Sequence, residues 1–198
     1  MPDHVTVWEA IGDLPSLAHG EGSESCEYAC EPFSDFQRMM RNGSKMMSNH
    51  IARLLQPTQY ARLASLDPGQ GMKDLPPHLQ TKGGYSGAYA RLTKDMVAPT
   101  ITRWVFHPGS GRWGHPVDIR TLTIREVARI QGFPDSFNFV GSFTQRAGQL
   151  GNAVPPLLAQ RIVEAMRDQL LSLNRSSKSM NVSTSIFSSG VGKRKVMA

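Results

Sequence analysis

The run RTLTIREVARIQGFPD occupies residues 120–135 and carries the strongest local signal in the chain. Its central TIRE, at 123–126, is a capping box, in which a threonine hydroxyl and a glutamate carboxylate accept hydrogen bonds from free backbone N–H groups at a helix start. Gly132 then stands where a helix commonly ends, and Pro134 prevents its continuation. The run therefore predicts a short helix over residues 124–131.

A second run, QLGNAVPP, occupies residues 149–156 and lies at the end of a stretch punctuated by glycines. Proline is accommodated in the first turn of a helix, so Pro155 and Pro156 predict the start of the longest helix. Its apolar stripe at helical spacing is formed by Leu158, Ile162, Ala165, Met166, Leu170 and Leu173. The serine-rich sequence that follows predicts a disordered basic tail over residues 174–198.

The earlier part of the chain gives weaker signals. Residues 5–17 predict a short strand or turn entering a short helix, with Thr6 and Glu9 as a capping box. Residues 19–32 predict an exposed acidic loop. Residues 33–55 show a helical pattern that Gly43 and Ser44 interrupt. The many prolines and glycines of residues 56–84 predict irregular structure, and residues 85–106 predict short strands joined by turns.

The composition is that of a folded chain of one domain or slightly more, with 198 residues of which 39% are hydrophobic. Two cysteines are too few for a disulfide framework or a four-cysteine zinc site, and no metal site is predicted. No apolar run is long enough to cross a membrane, and the first residues do not resemble a signal peptide. We therefore expect a protein of the reducing cytoplasm.

Charge is distributed unevenly along the sequence. Residues 1–36 contain eight acidic residues and no lysine or arginine, whereas residues 37–171 contain 17 basic and eight acidic residues. Most of the basic residues in that middle part are arginines, whose planar guanidinium suits phosphates and guanine edges. The middle part is therefore a candidate for binding a polyanion, and the alternative is an ordinary solvated surface.

The two runs, in this order and at this spacing, closely resemble the last two motifs of DNA cytosine-5 methyltransferases. Four other pieces resemble the target-recognition region of bacterial members of that family, namely residues 5–14, Asn49-His50, Tyr89-Ala90-Arg91-Leu92 and residues 98–102. One departure is Ala90, where members of the family often have glycine. The resemblance covers residues 5–170 and leaves only the tail outside it.

Other motifs of that family do not occur in this sequence. Cytosine C5 is too weak a nucleophile to attack a methylsulfonium, so in this family a cysteine thiolate adds to C6 and an acid assists. The family has a Phe-x-Gly-x-Gly loop for S-adenosylmethionine, a Pro-Cys loop for the nucleophile and a Glu-Asn-Val segment for the carboxylate. Cys26 follows serine and Cys30 follows alanine, in an acidic stretch that is expected to raise the pKa of a thiol. The prediction is that this chain contains no catalytic residue.

The resemblance implies that residues 85–118 enter the major groove of DNA, where base edges are unambiguous. The predicted DNA-contacting residues are Arg91, Thr100, Thr102 and Arg103. Arg103 would bind either a guanine or a phosphate.

The resemblance also implies that Arg125, Glu126 and Arg129 hold the recognition region against the catalytic core through ion pairs and hydrogen bonds. The alternative is that they are exposed helix charges. The full set of residues predicted to have a structural role in the two motifs is Arg120, Arg125, Glu126, Arg129, Gln131, Gln149 and Gly151.

For the cofactor, the resemblance implies that Asn152, Ala153 and Val154 form one wall of a pocket for S-adenosyl-L-methionine that is shared with a partner chain. A loop bounded by Gly151 and Pro155 would bring backbone groups close to the ligand.

These inferences predict an α+β chain with an acidic N-terminal segment (1–36), a loop-rich target-recognition region with short strands (37–118), a motif-bearing segment (119–173) and the tail (174–198). The C-terminal helical segment would complete a Rossmann-like α/β methyltransferase domain on a larger partner chain that carries the catalytic motifs, as in split bacterial enzymes. The partners would be that chain and double-stranded DNA, and the protein would be cytoplasmic and associated with the bacterial nucleoid.

Two other interpretations stay open at this point. In the first, the chain is an inactive truncated remnant of such an enzyme. In the second, it is a DNA-binding module without catalysis. A free-standing module predicts DNA binding by the isolated chain with a steep dependence on salt. A split subunit predicts little specific binding until the partner docks, and a remnant predicts neither binding nor complex formation.

Overall fold

The computed structural model describes residues 4–81, 83 and 87–188, and it describes the side-chain surroundings of these residues up to position 173. The chain divides into two compact units, Met1–Pro155 and Pro156–Ala198. The boundaries that we predicted after residues 36 and 118 both fall inside the first unit. The last ten residues of the predicted tail lie outside the described residues.

Short helices and a small sheet make up the described part of the first unit. The helices are α1 (Val7–Ile11), α2 (Asp35–Arg41), α3 (Pro57–Ala64), α4 (Ile124–Ile130) and α5 (Phe143–Asn152). The strands β1 (Gly22–Glu27) and β2 (Met46–Ile51) pair antiparallel, with Gly22 opposite Ile51 and Glu27 opposite Met46. Single 3-10 turns occur at Met72–Asp74, Pro77–Leu79 and Pro108–Ser110. The mixed helix-and-strand class agrees with the α+β prediction.

Both predicted capping boxes are present. The Thr6 hydroxyl accepts a hydrogen bond from the Glu9 backbone at 3.2 Å, and the Glu9 carboxylate accepts one from the Thr6 backbone at 2.8 Å. At the start of α4 the corresponding distances between Thr123 and Glu126 are 3.2 and 2.7 Å. Gly132 follows α4 with a φ of 80°, the left-handed region that glycine enters without strain. The predicted helix over 124–131 is confirmed to within one residue.

The sheet corrects two predictions. Residues 19–32 do not form only a loop, because β1 lies within them, and the second half of the helical pattern at 33–55 is the strand β2. The sequence of β1, GSESCE, has no apolar alternation, since almost all of its side chains are exposed. The methionines and isoleucine of the 33–55 pattern are spaced as in a helix, but only α2 uses that spacing.

Residues 56–106 also differ from the prediction. The stretch at 56–84 contains α3 in addition to turns. In the described part of 85–106 there is no strand, and the pairing of Arg91 with Gly114 is an isolated bridge. The apolar residues of this stretch are nevertheless buried: Leu92 and Val105 are fully shielded from solvent. The alternation of apolar and polar residues at 85–106 therefore reflects which side chains of successive turns are buried, and it does not indicate strands.

The core of the first unit is built around α4, which contacts α1, β2 and α5. Six of its seven residues are buried. The apolar side chains that surround it come from almost the whole length of the unit and include Val7, Ile11, Met47, Leu92, Phe106, Trp113, Leu122, Val127, Phe139 and Leu150. A second, smaller cluster contains Leu66, Leu75, Ala88 and Tyr89.

The second unit contains the helix α6, Pro156–Ser188. It begins where the two prolines predicted, but it continues well past Leu173, so the predicted disordered tail is helical up to Ser188. Its apolar stripe is exposed, with half or more of the accessible surface retained at Leu158, Ile162, Met166, Leu170 and Leu173. Among the described residues, no helix has the length and apolar character that a membrane crossing requires.

Candidate functional site

The charged residues of α4 point into the protein. Arg125, Glu126 and Arg129 have at most 1% of their surface exposed. Buried charges are costly unless each has a partner of opposite charge or several hydrogen bonds. The three residues are therefore not exposed helix charges, and they make ion pairs and hydrogen bonds within this chain. That they hold a recognition region against a catalytic core stays a prediction.

Arg129 joins three parts of the chain. Its guanidinium donates to the Asp13 carboxylate at 2.8 Å, to both oxygens of the Asp135 carboxylate at 2.7 Å and to the Ala10 carbonyl at 3.0 Å. Asp13 is also paired with Arg41 on α2. Burial opposes the charge on Arg129, but the hydrogen bonds and charge of Asp135, followed by those of Asp13, outweigh it and raise the pKa of Arg129. The network fixes α1 and α2 to α4.

Arg120 and Glu126 form a buried bidentate pair, with both nitrogen–oxygen distances at 2.8 Å. Arg120 also donates to the Asp118 carboxylate at 2.8 Å. Burial would raise the pKa of Glu126, but the charge of Arg120 dominates and holds that pKa far below its ordinary value. The pair therefore stays ionised inside the protein and ties the residues before α4 to its first turn.

His115 completes this network as a neutral side chain. Its Nδ1 accepts backbone hydrogen bonds from Val117 at 3.2 Å and Asp118 at 2.8 Å, and its Nε2 lies 3.6 Å from the Glu126 carboxylate. Because Nδ1 is an acceptor, the proton belongs on Nε2. Burial lowers the pKa of His115 to about 4.

Arg125 connects β2 with the loop after α4. Its guanidinium donates to the Ser48 carbonyl at 2.8 Å, to the Phe137 carbonyl at 2.7 Å and to the Pro134 carbonyl at 3.2 Å. The neighbouring Asn49 exchanges two hydrogen bonds with the Phe139 backbone, at 3.1 and 2.9 Å. These contacts give the loop at 134–139 a defined position beside the sheet.

The Asn49-His50 pair quoted in the resemblance is thus a structural element. The His50 ring lies 3.0 Å from the Thr123 hydroxyl and 2.9 Å from the Pro15 carbonyl. Burial lowers the pKa of His50. The ring therefore connects the start of α4 to the chain that follows α1.

Arg91 was predicted to contact DNA, but it is 7% exposed. Its three guanidinium nitrogens donate to the carbonyls of His115, Leu66 and Val117 at 3.2, 2.8 and 2.9 Å. With its donors directed at backbone oxygens inside the protein, Arg91 has no surface to offer a phosphate or a base. The prediction is corrected: Arg91 connects its own part of the chain to Leu66 and to the loop at 115–117.

The other predicted DNA contacts are at the surface. Thr100, Thr102 and Arg103 are exposed, and they precede Trp104, which is 61% exposed. The Arg103 guanidinium lies 5.3 Å from the centre of the Trp104 ring, within the range of a cation–π contact. This exposed segment, residues 100–104, presents a cation, two hydroxyls and an aromatic face together.

Gly151 packs directly against the backbone of Arg103 in the exposed segment. A Cβ atom at this position would collide with the backbone nitrogen and Cα of Arg103 and lie 2.8 Å from its Cβ. Only a residue without a side chain permits this approach of α5 to Arg103. The second run therefore needs glycine here because α5 packs directly against Arg103 of the exposed segment.

The two glutamines of the motifs both bind backbone carbonyls. Gln131 is buried and donates to the Leu150 carbonyl at 3.1 Å, which ties the end of α4 to α5. Gln149 is exposed and donates to the Val140 carbonyl at 3.1 Å. Both therefore help to position α5.

The three predicted cofactor residues occupy the end of the first unit. Asn152 is the last residue of α5 and Ala153 is its C-cap, so the predicted loop bounded by Gly151 and Pro155 is reduced to residues 153–155. Asn152 is exposed and Val154 is 63% exposed. Their role in binding S-adenosyl-L-methionine stays a prediction. These residues do not enclose a ligand by themselves.

Cys26 does not have the surroundings of an activated nucleophile. Cys26 lies on β1, and partial burial raises the pKa of its thiol, so that the thiolate is disfavoured. The cause is burial, whereas the sequence suggested nearby acidic residues. Cys30 is exposed.

Sequence reasoning missed several residues of the site. Asp13, Asp118 and Asp135 neutralise the buried arginines, and His115 and Trp104 were not singled out. Asp135 stands within the first run and Asp118 lies two residues before Arg120, so proximity to the motif was an available signal for both. Asp13 is more than a hundred residues from Arg129, and no local pattern reveals their contact.

Comparison with known proteins gives a consistent result. Residues 10–168 match the family model described as C-5 cytosine-specific DNA methylase. Type II methyltransferase M.DdeI of Desulfomicrobium norvegicum is 34% identical over 180 residues, covering 82% of this chain and 42% of the relative. DNA (cytosine-5)-methyltransferase 4 of Arabidopsis thaliana is 32% identical over 189 residues, covering 84% of this chain and 12% of the relative.

A solved structure shares the fold. It is that of an E. coli protein described as a DNA modification methyltransferase encoded within a prophage, with a TM-score of 0.64 and 24% sequence identity. The match covers 86% of this chain and 48% of that protein. The present chain thus spans less than half the length of each of these three relatives.

Proposed function

This chain belongs to the C-5 cytosine-specific DNA methylase family, and from that premise we propose that it provides target recognition for a DNA (cytosine-5) methyltransferase. It would bind double-stranded DNA through residues 100–104 and contribute one wall of the S-adenosyl-L-methionine pocket through residues 152–154. The cysteine that attacks cytosine C6 would come from a larger partner chain. When bound, S-adenosyl-L-methionine supplies the methyl group.

The observation that carries this proposal is the contact between Gly151 and Arg103. It brings the residues proposed to bind DNA next to those proposed to face the cofactor, within one rigid frame. Methyl transfer requires the target base and the methyl donor to be held in a fixed geometry, because reacting groups must meet at close distance. A frame that positions both surfaces satisfies this requirement.

The buried arginine network supports the same role indirectly. Arg120, Arg125 and Arg129 direct their charge inward and bind carboxylates and carbonyls. They hold α4, α1 and β2 together, so that the exposed segment is presented from a stiff base. In our proposal they are positioning residues and contact neither DNA nor cofactor.

The central experiment is reconstitution with a larger chain carrying the Phe-x-Gly-x-Gly, Pro-Cys and Glu-Asn-Val motifs, sought first in the DNA upstream of this reading frame. We expect transfer of a labelled methyl group from S-adenosyl-L-methionine to cytosine in duplex DNA only when both chains are present. Full activity of the larger chain alone would contradict the proposal.

A substitution separates DNA recognition from assembly. Arg103→Ala should leave complex formation intact but weaken DNA binding, because Arg103 is exposed. A base contact would cost about 1–3 kcal/mol and relax sequence preference, whereas a phosphate contact would lower the salt slope by about one. Arg38→Ala, which also removes one exposed cation but lies on α2, is the control and should bind DNA as the wild type does.

The isolated chain distinguishes the alternatives. A salt titration of duplex binding should show weak, non-specific binding under our proposal. Tight, sequence-specific binding by the isolated chain would favour the free-standing DNA-binding module. Absence of both DNA binding and complex formation would favour the truncated remnant.

A further inference from the structure

One ion pair links the acidic strand β1 to the helix α5. A nitrogen of the Arg146 guanidinium on α5 donates to both oxygens of the Glu24 carboxylate on β1 at 2.8 Å, although the two residues are 122 positions apart in the sequence. The same carboxylate accepts a hydrogen bond from the side chain of Asn49 at 3.2 Å, and Asn49 lies on β2. Glu24 therefore connects both strands of the small sheet to α5.

This ion pair contributes little to the stability of the fold. The Glu24 side chain is 58% exposed, so water solvates its carboxylate whether or not the arginine is present. The Arg146 side chain is only 19% exposed, and its Nε is buried without a hydrogen-bond acceptor among the described residues. A buried donor without a partner costs free energy. The main consequence of the pair is therefore the orientation that it gives to α5.

The orientation of α5 affects the exposed segment at residues 100–104. Gly151 lies five residues after Arg146 and packs so closely on the backbone of Arg103 that a single Cβ atom would collide with it. With 3.6 residues per turn, these two positions of α5 point about 140° apart around the helix axis. The ion pair and the close contact therefore hold α5 from different sides. A rotation of α5 would either open the contact with Arg103 or push its backbone away.

We propose that Glu24 and Arg146 are positioning residues for DNA recognition. Their ion pair sets the rotation of α5 and, through Gly151, the position of Arg103. Glu24 and Arg146 themselves do not contact DNA. Because Arg103 must bind DNA for its position to matter, this inference rests on the proposed function. It gives the acidic strand β1, which neither of the two sequence runs contains, a part in recognition.

Removing the Glu24 carboxylate distinguishes positioning from simple electrostatics. Glu24→Ala takes away one negative charge, and a less acidic protein binds the DNA polyanion more tightly if charge alone matters. If Glu24 positions Arg103, the same substitution weakens DNA binding. Glu27→Ala is the matched control, because Glu27 is also exposed on β1 but points to the opposite face of the strand.

The test measures binding of the full chain to a fluorescein-labelled DNA duplex by anisotropy at low salt. We expect Glu24→Ala to raise the Kd at least about threefold. Glu27→Ala should leave the Kd unchanged or lower it slightly. The thermal unfolding midpoints of both variants should match that of the wild type, because both carboxylates are exposed.

Amide hydrogen exchange followed by mass spectrometry gives a readout that needs no DNA. The amides of Val105 and His107 donate to backbone carbonyls of the exposed segment at 3.1 and 2.9 Å. If Glu24 helps to hold this segment in place, these amides should exchange about tenfold faster in Glu24→Ala. They should exchange at the wild-type rate in Glu27→Ala.

Each other outcome has a distinct meaning. Equal or tighter DNA binding by Glu24→Ala overturns the positioning role, because charge alone then accounts for the result. Weaker binding together with a lower unfolding midpoint also overturns it, because the loss then reflects general destabilisation. Arg103→Ala separates this inference from the proposed function. If Arg103→Ala binds DNA as the wild type does, the proposed function fails, whereas an effect of Arg103→Ala without one of Glu24→Ala removes the positioning role alone.

Discussion

Individual buried charges hold the first unit together, and Arg129 is the strongest case. Its guanidinium donates to the Asp13 and Asp135 carboxylates and to a backbone carbonyl. The side chains of Arg129, Asp13 and Asp135 are each at most 3% exposed. Removing one partner of such a group leaves unpaired charges in a medium that solvates them poorly. A surface ion pair such as Arg38–Asp35 lacks this dependence, because water replaces the lost partner.

We therefore expect Arg129→Met to lower the free energy of unfolding by about 3–5 kcal/mol. The matched substitution Arg38→Met should lower it by less than about 1 kcal/mol. Urea denaturation of both variants, followed by circular dichroism, checks this. Similar losses for the two variants would show that the buried network does not support the fold.

The two glycines of α5 form a natural pair of variants. Alanine at Gly151 would collide with the Arg103 backbone, whereas alanine at Gly148 would meet no atom within 4 Å. Gly151→Ala should destabilise by about 1–3 kcal/mol because the neighbouring backbone must move. Gly148→Ala should be neutral or stabilise by up to about 1 kcal/mol, since alanine favours helix. Thermal unfolding of both variants tests the close approach, and equal midpoints would contradict it.

His115 makes stability depend on pH. Its pKa is about 4 in the folded protein and about 6.5 in an unfolded chain. Between these values the unfolded state binds a proton that the folded state does not. The stability that neutral His115 contributes is thus complete above about pH 6.5 and is lost as the pH falls towards 4. Burial lowers the pKa of His50 as well, which acts in the same direction.

Replacing His115 by asparagine should flatten this dependence. Between pH 7 and pH 5, the loss of unfolding free energy should be smaller in His115→Asn than in the wild type by about 2 kcal/mol. The exposed His78 provides the control, since His78→Asn should keep the wild-type slope. Denaturant titrations across this pH range give the comparison, and parallel slopes for all three proteins would contradict the assignment.

Among the helices and strands, those that begin with local hydrogen bonds could be predicted from the sequence, whereas those that depend on long-range pairing could not. The starts of α1, α4 and α6 follow from capping residues and prolines within one turn, so their positions were predicted correctly. The strand β1 was not predicted, because its side chains are exposed and its pairing partner β2 is about twenty residues away. Likewise, the family motifs gave the arginines of the network, but the Asp13 partner depends on the folded chain.

The exposed stripe of α6 is the element most open to test. The family resemblance implies that this helix would complete the α/β domain of a partner chain, so a charge on the stripe should prevent assembly. Ile162→Lys should abolish copurification with the larger chain and reduce aggregation of the free chain. Gln160→Lys adds the same charge on the opposite side of the helix and should assemble normally. Equal copurification of both variants would exclude the stripe from the interface.

For the whole molecule, the net charge of +6 overstates what is available to a polyanion. Four arginines are buried and bonded inside the first unit, namely Arg91, Arg120, Arg125 and Arg129. The acidic N-terminal segment provides Asp13, which pairs with Arg129. The division of charge along the sequence therefore does not persist in the folded chain. The cations that stay free to bind DNA are fewer, and they include Arg53 and Arg103.

The behaviour of the free chain follows from the exposed apolar helix. We expect the isolated protein to aggregate and to become soluble on coexpression with its partner, because large exposed apolar patches favour association. Size-exclusion chromatography with light scattering checks this. A chain that stays a monodisperse monomer at the high concentrations used in chromatography would count against the split-subunit arrangement.

The Arg129 network also has an evolutionary consequence. A buried ion cluster can often be replaced by well-packed apolar residues without loss, provided that all members change together. Changing Arg129, Asp13 or Asp135 singly leaves a stranded charge, so each first step towards an apolar core is strongly disfavoured. Descendants of a protein with this cluster are therefore expected to keep Arg129, Asp13 and Asp135. The exposed residues 100–104 carry no such constraint and can be substituted one at a time. If residues 100–104 recognise DNA as we propose, the recognised sequence can change from one descendant to the next while the buried network stays the same.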